Sequence, residues 1–316
     1  MPKFSVCIPT FNRVQLLSEA IASVLHQTEP DFELIVCDDG STDGTAHWMA
    51  AQPSDSRIRY IRHAQNIGKS NNMRSGFQAA QGKYFIKFDD DDRLLPSFLA
   101  ATAAILDHQP QIDFVGTDHW IIDHQSQRDL AASDRNSRFW KRTELPEGVV
   151  NSLLSAVFVD QSFQVGATLF RRQALVEVGY MRPHMQNCED TDLFVRLALA
   201  GKQGYYLNDR LMEYRVHAEQ QGIDRAIPYL KDKLQYLESH QFEAIELEKI
   251  RQSRLAETQL LLGLRLINIG ETETGRELVY AGKTTAPLKA WVGVGLSWLP
   301  RSLRNPVFAL LRQIKA

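Results

Sequence analysis

The chain has 316 residues, 44% hydrophobic and 23% charged, with 36 basic against 38 acidic side chains. This is a globular composition, and near-neutral charge without long blocks of one sign excludes nucleic-acid binding through bulk electrostatics, so any bound anion is held locally. Cys7, Cys37 and Cys188 are scattered without zinc or disulfide spacing, which fits a reducing cytoplasm, and the sequence shows neither a signal peptide nor the roughly 20 apolar residues of a transmembrane helix.

Residues 3–11 read as a strand and 13–28 as a helix, with Val14, Leu17, Ile21, Val24 and Leu25 on one face. A second strand from residue 32 ends in the acid- and glycine-rich turn of residues 38–44, and helix 46–52 follows. Strand 58–63, helix 69–81, strand 83–88 and helix 96–109, with Pro96 at a favoured first-turn position, continue the alternation. This order predicts a Rossmann-like, mostly parallel sheet with helices on both faces, in which ligands collect outside the carboxyl ends of the strands. Asp38 with Asp39, and the run Asp89, Asp90, Asp91 and Asp92, fall at such ends and are expected to share one crevice.

Beyond Asp113 the pattern predicts irregular strands and loops, with polar residues 123–138 forming an excursion over the crevice. Strand 163–172, helix 172–179, helix 188–202 and strand 204–217 close the module. Helices dominate from Ile227 onward, and segments 248–270 and 271–287 are spaced like a single tetratricopeptide-type hairpin. The expected division is a domain over 1–222 and a helical region over 223–316.

Four adjacent aspartates after the apolar run Tyr84, Phe85 and Ile86 repel one another and pay for desolvation, so they need water, a hydrogen-bond network or a cation. Carboxylate oxygens suit Mg²⁺ or Mn²⁺. Glu189 and Asp190 stand in the first turn of a helix, where acids also favour the macrodipole by roughly 0.3 to 1 kcal/mol each.

The blocks SVCIPTFNR, IVCDDGSTDGT, NIGKSNNMRSGFQAAQGKYFIKFDDDDRLLP and CEDTDLFVRLALAGK, in this order, closely resemble the family 2 inverting glycosyltransferases with the GT-A fold. The resemblance implies a nucleotide-sugar donor, a UDP-sugar above all, with Mn²⁺ or Mg²⁺ held through a DxD motif. It implies a cell-surface glycan or its lipid-linked precursor as acceptor. Carried onto this chain, Asp91 binds the metal, Asp89 contacts the ribose or the metal, and Asp90 is the variable middle position. Asp92 is read as a cap for the following helix. Asp39 accepts a hydrogen bond from a pyrimidine imide, supported by Asp38, while Pro9, Phe11 and Asn12 lie beside the base. Gly40, Ser41, Asp43 and Gly44 supply turn and cap chemistry. Asp190 is the catalytic base, Glu189 supports it or binds acceptor hydroxyls, and His217 adds a metal or diphosphate contact. Met73 stands where many relatives carry an arginine, which leaves Arg74 or Lys69 to reach the phosphates, although Lys69 reads equally as a solvated lysine at a helix start.

A noncatalytic nucleotide-sugar-binding protein of this fold is the first alternative. A nucleotidyltransferase is the second, but the stretch PTFNRVQLL lacks the glycine-rich basic phosphate loop common in that class. Near the C-terminus, Trp291, Trp298, Phe308 and several leucines mix with Lys289, Arg301, Arg304, Arg312 and Lys315. That mixture suits peripheral contact with an anionic inner membrane face, or equally packing on the domain or on another subunit of a homo-oligomer.

Overall fold

The computed structural model describes residues 1–216, 226–300, 302–304 and 306–307, in two compact units, 1–220 and 221–316. His217, Arg301, Phe308, Arg312 and Lys315 lie outside the described residues.

The first unit opens with β1 (Phe4–Thr10), α1 (Val14–Leu25), β2 (Phe32–Asp38), α2 (Thr45–Ala51), β3 (Ile58–Arg62), α3 (Lys69–Ala79) and β4 (Tyr84–Lys87). β1, β2 and β4 are buried throughout, as expected of apolar runs covered on both faces. β1 pairs in parallel with β2 and β4, and β2 with β3, so their carboxyl ends meet along one edge. α3 lies directly on this sheet at Gly76. A Cβ there would sit 2.2 Å from Cys7 Sγ and 2.7 Å from Cys37 Sγ, so no larger residue fits without displacing the strands. Cys7, Cys37 and Cys188 are buried free thiols.

The chain continues through β5 (Arg93–Leu94), α4 (Phe98–His108), β6 (Phe114–Ile122), β7 (Arg128–Asp129), α5 (Leu130–Phe139), β8 (Gly148–Val149) and α6 (Leu153–Phe158). β9 (Thr168–Arg171), α7 (Arg172–Val178), α8 (Glu189–Leu199) and β10 (Gly204–Arg215) complete it. The ten-stranded sheet runs β3-β2-β1-β4-β9-β6-β10-β5, with β7 on β6 and β8 on β10. β9 is antiparallel to both neighbours and joins the first parallel set to the parallel pair of β6 and β10. The main core runs along this sheet from Phe4 and Val36 through Phe88 and Leu106 to Met212.

Two local expectations change. α4 begins at Phe98 after Ser97, so Pro96 precedes the helix, and its carbonyl accepts the Thr28 N–H at 2.9 Å. Residues 130–139 are helical where a loop was expected, with Asp129 as N-cap accepting from the Ala132 N–H. The inward face of α5 is polar: Ser133 Oγ accepts the Ile121 N–H at 2.8 Å, and Ser137 Oγ donates to Asp118 at 2.5 Å. A helix docked by hydroxyls carries no apolar stripe, so periodicity missed it.

In the second unit α9 (Ala226–Glu238), α10 (Ile245–Ile269), α11 (Thr272–Ala281) and α12 (Pro287–Ser297) are amphipathic helices. Leu260, Ile267, Val279, Ala290 and Leu296 form a core there. Leu288, Trp291 and Trp298 are exposed. No described helix is long and apolar enough to cross a membrane.

Beneath β6 lies a buried charged network. Asp118 takes the Arg142 guanidinium at 2.6 Å and Arg210 at 3.3 Å, and His119 Nε2 meets Asn136 Oδ1 at 3.1 Å. Burial and the neighbouring Arg142 push His119 down to about 3 from its ordinary 6.5. The histidine is therefore neutral in the fold while the unfolded chain protonates it below pH 6.5, so stability falls as pH drops through that value. From pH 7 to pH 5 this coupling costs about 2 kcal/mol. In denaturant titrations at both pH values, His119→Gln is expected to lose about that much less than the parent; an equal loss would place the acid sensitivity elsewhere.

Candidate active site

The loops at the ends of β1 and β2 are tied together before any ligand enters. Asn12, at a left-handed φ of 55°, donates its N–H to Ser41 Oγ at 2.9 Å and accepts the Thr42 N–H at 2.7 Å. Asp43 accepts the Val14 N–H at 3.0 Å, at the start of α1, and the Thr45 N–H at 3.1 Å, at the start of α2. One carboxylate thus holds the entry of two helices, the turn-and-cap role expected of it. Pro9 is buried in register with Cys37, whereas Phe11 is 43% exposed and is not a core residue.

Asp38 is fully buried. It accepts the Ser41 N–H at 2.8 Å and the Tyr60 hydroxyl, with Arg62 Nε 3.8 Å away. Asp39 turns the other way and accepts the N–H groups of Ile67 at 2.7 Å and Gly68 at 3.1 Å, fixing the turn that starts α3. Gly40 between these loops has φ +78°, and a Cβ there would lie 2.8 Å from the Gln65 carbonyl carbon, so the close approach requires glycine. Removing Asp39 takes a charged acceptor from two part-buried backbone donors, of which the Gly68 N–H keeps Asn66 Oδ1 at 3.1 Å. Asp39→Ala is expected to lower unfolding free energy by about 2 kcal/mol, given the usual range for hydrogen bonds to charged groups. An unchanged midpoint in urea would remove the residue from this bracing role.

At the end of β4 Lys87 serves Asp89, Arg13 is shared by Asp90 and Asp91, and Asp92 takes a backbone N–H. Lys87, 1% exposed, donates to both oxygens of Asp89 at 2.7 Å. Arg13 Nη1 lies 2.8 Å from Asp91 Oδ2 and 3.2 Å from Asp90 Oδ1. Asp92 accepts the Arg215 backbone N–H at 2.9 Å, while Arg215 Nε donates to the Asp91 carbonyl at 2.7 Å. Asp92 therefore holds β10 and does not cap α4. Burial and the adjacent Asp91 push Asp90 up to about 6 and Asp92 well above the carboxylate range. Against desolvation, Lys87 and Lys69 hold Asp89 below it.

The donor set fits a divalent cation on one count that the structure itself supplies: Asp90 and Asp91 converge on a single positive nitrogen. Among the described residues no three His, Cys, Asp or Glu side chains form a closed cluster. Such a site suits Mg²⁺ or Mn²⁺, which are commonly bound by one or two carboxylates with substrate phosphates and water completing the shell.

Glu189 and Asp190 open α8 and face the same charges. Lys69, the first residue of α3, places Nζ 2.6 Å from Glu189 Oε1. Although desolvation opposes it, the carboxylates of Glu189, Asp190 and Asp89 push the Lys69 pKa up. Burial, reinforced by Asp190, lifts Glu189 above its usual range despite Lys69. Asp190 Oδ1 is buried and makes no hydrogen bond. The start of α3, the end of β4 and the start of α8 thus form one charged cluster.

Arg74 is used elsewhere. Its Nη1 donates to the carbonyls of Met181 at 2.7 Å and Gly179 at 3.3 Å, so it braces the loop after α7, and Met73 is buried. The expected His217 contact lies outside the described residues. Sequence reading missed Arg13 and Arg215, which sit immediately beside residues it singled out or expected to act.

A wound α/β sheet with acidic groups gathered at its strand ends and a helical C-terminal region is the architecture of a GT-A glycosyltransferase. Residues 5–155 match the family described as Glycosyl transferase family 2, and this part of the chain belongs to that family. The chain is 43% identical over 103 residues to the GalNAc(5)-diNAcBac-PP-undecaprenol beta-1,3-glucosyltransferase of Campylobacter jejuni; the alignment spans 32% of this chain and 33% of that relative. The fold resembles that of Staphylococcus aureus TarS 1–349 in complex with UDP-GlcNAc, with TM-score 0.66 and 16% identity over 93% of this chain and 90% of the other. It also resembles the mannosyltransferase PcManGT of Pyrobaculum calidifontis in complex with GDP-Man and Mn²⁺, with TM-score 0.58 and 17% identity over 98% and 84% of the two chains.

Proposed function

We propose that the protein transfers a sugar from a UDP-sugar to a glycan or lipid-linked glycan acceptor by a single inverting displacement dependent on Mn²⁺ or Mg²⁺. The observation that carries the reading is Asp190, whose buried oxygen has no hydrogen bond although it lies in one charged cluster with Lys69 and Asp89. The acceptor hydroxyl oxygen attacks the anomeric carbon, the bond from that carbon to the diphosphate oxygen breaks with inversion, and Asp190 takes the hydroxyl proton. Lys69 offers positive charge to the departing diphosphate, and Glu189, paired to Lys69, keeps that ammonium in place. Asp91, with Asp90 converging on the same position, would hold the metal, which when bound would neutralise charge on the diphosphate, and Asp89, held by Lys87, would contact the ribose.

Asp39 is the base-reading group. Each of its oxygens already takes one backbone N–H and keeps a second lone pair for the pyrimidine imide, while Asp38, Pro9, Phe11 and Asn12 shape the surrounding loops. The UDP-GlcNAc complex of the TarS neighbour supports a uridine donor. The GDP-Man complex of the other neighbour shows that the fold alone does not choose the base, so the preference rests on Asp39. The undecaprenol-linked substrate in the Campylobacter relative's name supports a lipid-linked acceptor.

Replacing Asp190 with asparagine preserves size and removes the proton acceptor. Turnover at saturating donor and acceptor is expected to fall by about 10² to 10⁴-fold, with UDP affinity and melting temperature nearly unchanged. Near-parental turnover would move the base to another residue.

A lipid-linked acceptor would bring the protein to the inner membrane face, and the exposed Leu288, Trp291 and Trp298, beside Lys289, support peripheral contact there. Flotation with anionic vesicles is expected to carry the parent but little of a Trp291→Ser/Trp298→Ser variant. Equal flotation would assign this apolar face to subunit packing, with light scattering then showing a homo-oligomer.

A further inference from the structure

We infer that a cavity between β6 and β10, apart from the charged cluster at the strand ends, is a second carbohydrate subsite that holds a neutral sugar unit of the glycan acceptor. This inference rests on the glycan-acceptor reading above. The cavity measures about 320 Å³, at the lower end of small-molecule sites, and neither the aspartate run nor Lys69, Glu189 or Asp190 lines it. It opens where β10 is irregular. Register shifts between Leu207 and Arg210 and between Arg210 and Met212 interrupt its pairing with β6. On the other edge of β10, β8 pairs at Tyr205 and Tyr206 and β5 at Met212 and Glu213, and among the described residues no strand pairs with the stretch between. Bulges of this kind re-aim side chains and recur beside binding sites. Here Asn208 and Asp209 are exposed lining residues, and Arg210 lies over the Trp120 ring, 4.6 Å from its centroid.

The buried part of the lining holds polar groups that the fold leaves unused. Tyr206 is 1% exposed, yet its hydroxyl makes no hydrogen bond among the described residues. Burial, with Asp118 nearby, pushes its pKa up, so the hydroxyl keeps its proton. Arg142 is 2% exposed and uses Nε on Asp118 and Nη2 on Asn136, which leaves Nη1 without a partner. A donor on an almost fully buried side chain costs free energy until a guest or water satisfies it. The lining thus offers donors from Tyr206 and Arg142, and acceptors in the Asn208 amide and the Asp209 carboxylate. A hydroxyl both donates and accepts, so a sugar ring matches such a mixture. Asp118 and Asp209 balance Arg142 and Arg210, so a free anion or cation meets like charge as well as opposite, while a neutral polyol meets neither penalty. Along β10, Arg210 lines the cavity and the Arg215 N–H, five residues on, binds Asp92, a separation of about 15 Å of extended strand. A glycan of a few units bridges that distance, so the subsite grips the acceptor away from the unit being extended.

The test uses the full chain and saturation-transfer NMR, with methyl β-glucopyranoside, methyl β-galactopyranoside and N-acetylglucosamine as neutral probes and glucuronate and inorganic sulfate as charged ones. At least one neutral probe is expected to bind the parent, and more tightly than either anion. Tyr206→Phe deletes a hydroxyl that the fold does not use, so it is expected to weaken that probe by about 5-fold at an unchanged melting temperature, and Asn208→Ala by a similar factor. Neutral probes that bind both variants as well as the parent, or that bind none of the three proteins, would overturn the inference and leave the cavity to water, and tighter binding of an anion would overturn it too. Should Tyr206→Phe melt far below the parent, Asn208→Ala, at an exposed position, decides under the same criteria. UDP and Mn²⁺ added to the same samples separate this inference from the transferase reading. UDP bound with no neutral probe bound removes the subsite and leaves the transferase reading, whereas a neutral probe lost in Tyr206→Phe, with no UDP bound by the parent, removes the transferase reading and keeps the sugar site.

Discussion

Four carboxylates stand at the end of a buried strand, and the first unit is arranged around their neutralisation. β4 is buried at every position, so the aspartates that follow it are drawn into a poorly solvated place where like charges cannot be left together. Each partner comes from a different part of the chain: the Lys87 ammonium from β4 itself, the Arg13 guanidinium from the start of α1, and for Asp92 the Arg215 backbone N–H from the end of β10. Meeting the electrostatic requirement therefore fixes where the first helix begins and where the last strand ends. The acidic site and the topology are one constraint seen from two sides.

The same logic extends to the second acidic group. Glu189 and Asp190 gain from the positive end of α8, but Glu189 is buried deeply enough that a helix dipole alone would not hold its charge. Lys69 supplies the partner, and because it opens α3 it also links α8 to the turn braced by Asp39. Bracing loops against one another through buried carboxylates costs flexibility and holds the acidic groups in fixed positions.

Much of this was legible in order and pattern. The alternation of apolar runs and amphipathic helices yields the sheet and its flanking helices, because burial on one face or two leaves a period in the residues themselves. The acid-rich turns fall at strand ends for the same reason, and the resemblance to family 2 glycosyltransferases rests on those blocks. α5 escaped notice because serines and not apolar residues dock it on β6, so its inner face looks like solvent-facing chain. Arg74 reads as a phosphate ligand by position along α3, yet its direction around the helix sends it to the carbonyls of Gly179 and Met181.

The sequence by itself determined most of the strands and helices and that carboxylates gather at the strand ends, whereas the need for glycine at 40 and 76 comes from neighbours that only the folded chain brings close. The elements and the placement of the acids follow from the local period and from what each residue type tolerates. Only the tertiary structure decided which charge meets which. Arg13 reaches Asp90 across 77 residues and the Arg215 guanidinium reaches Glu19 across 196. A charged side chain carries no mark of its partner, because the energy of the pair depends on a separation and a local dielectric that exist only once the sheet has closed.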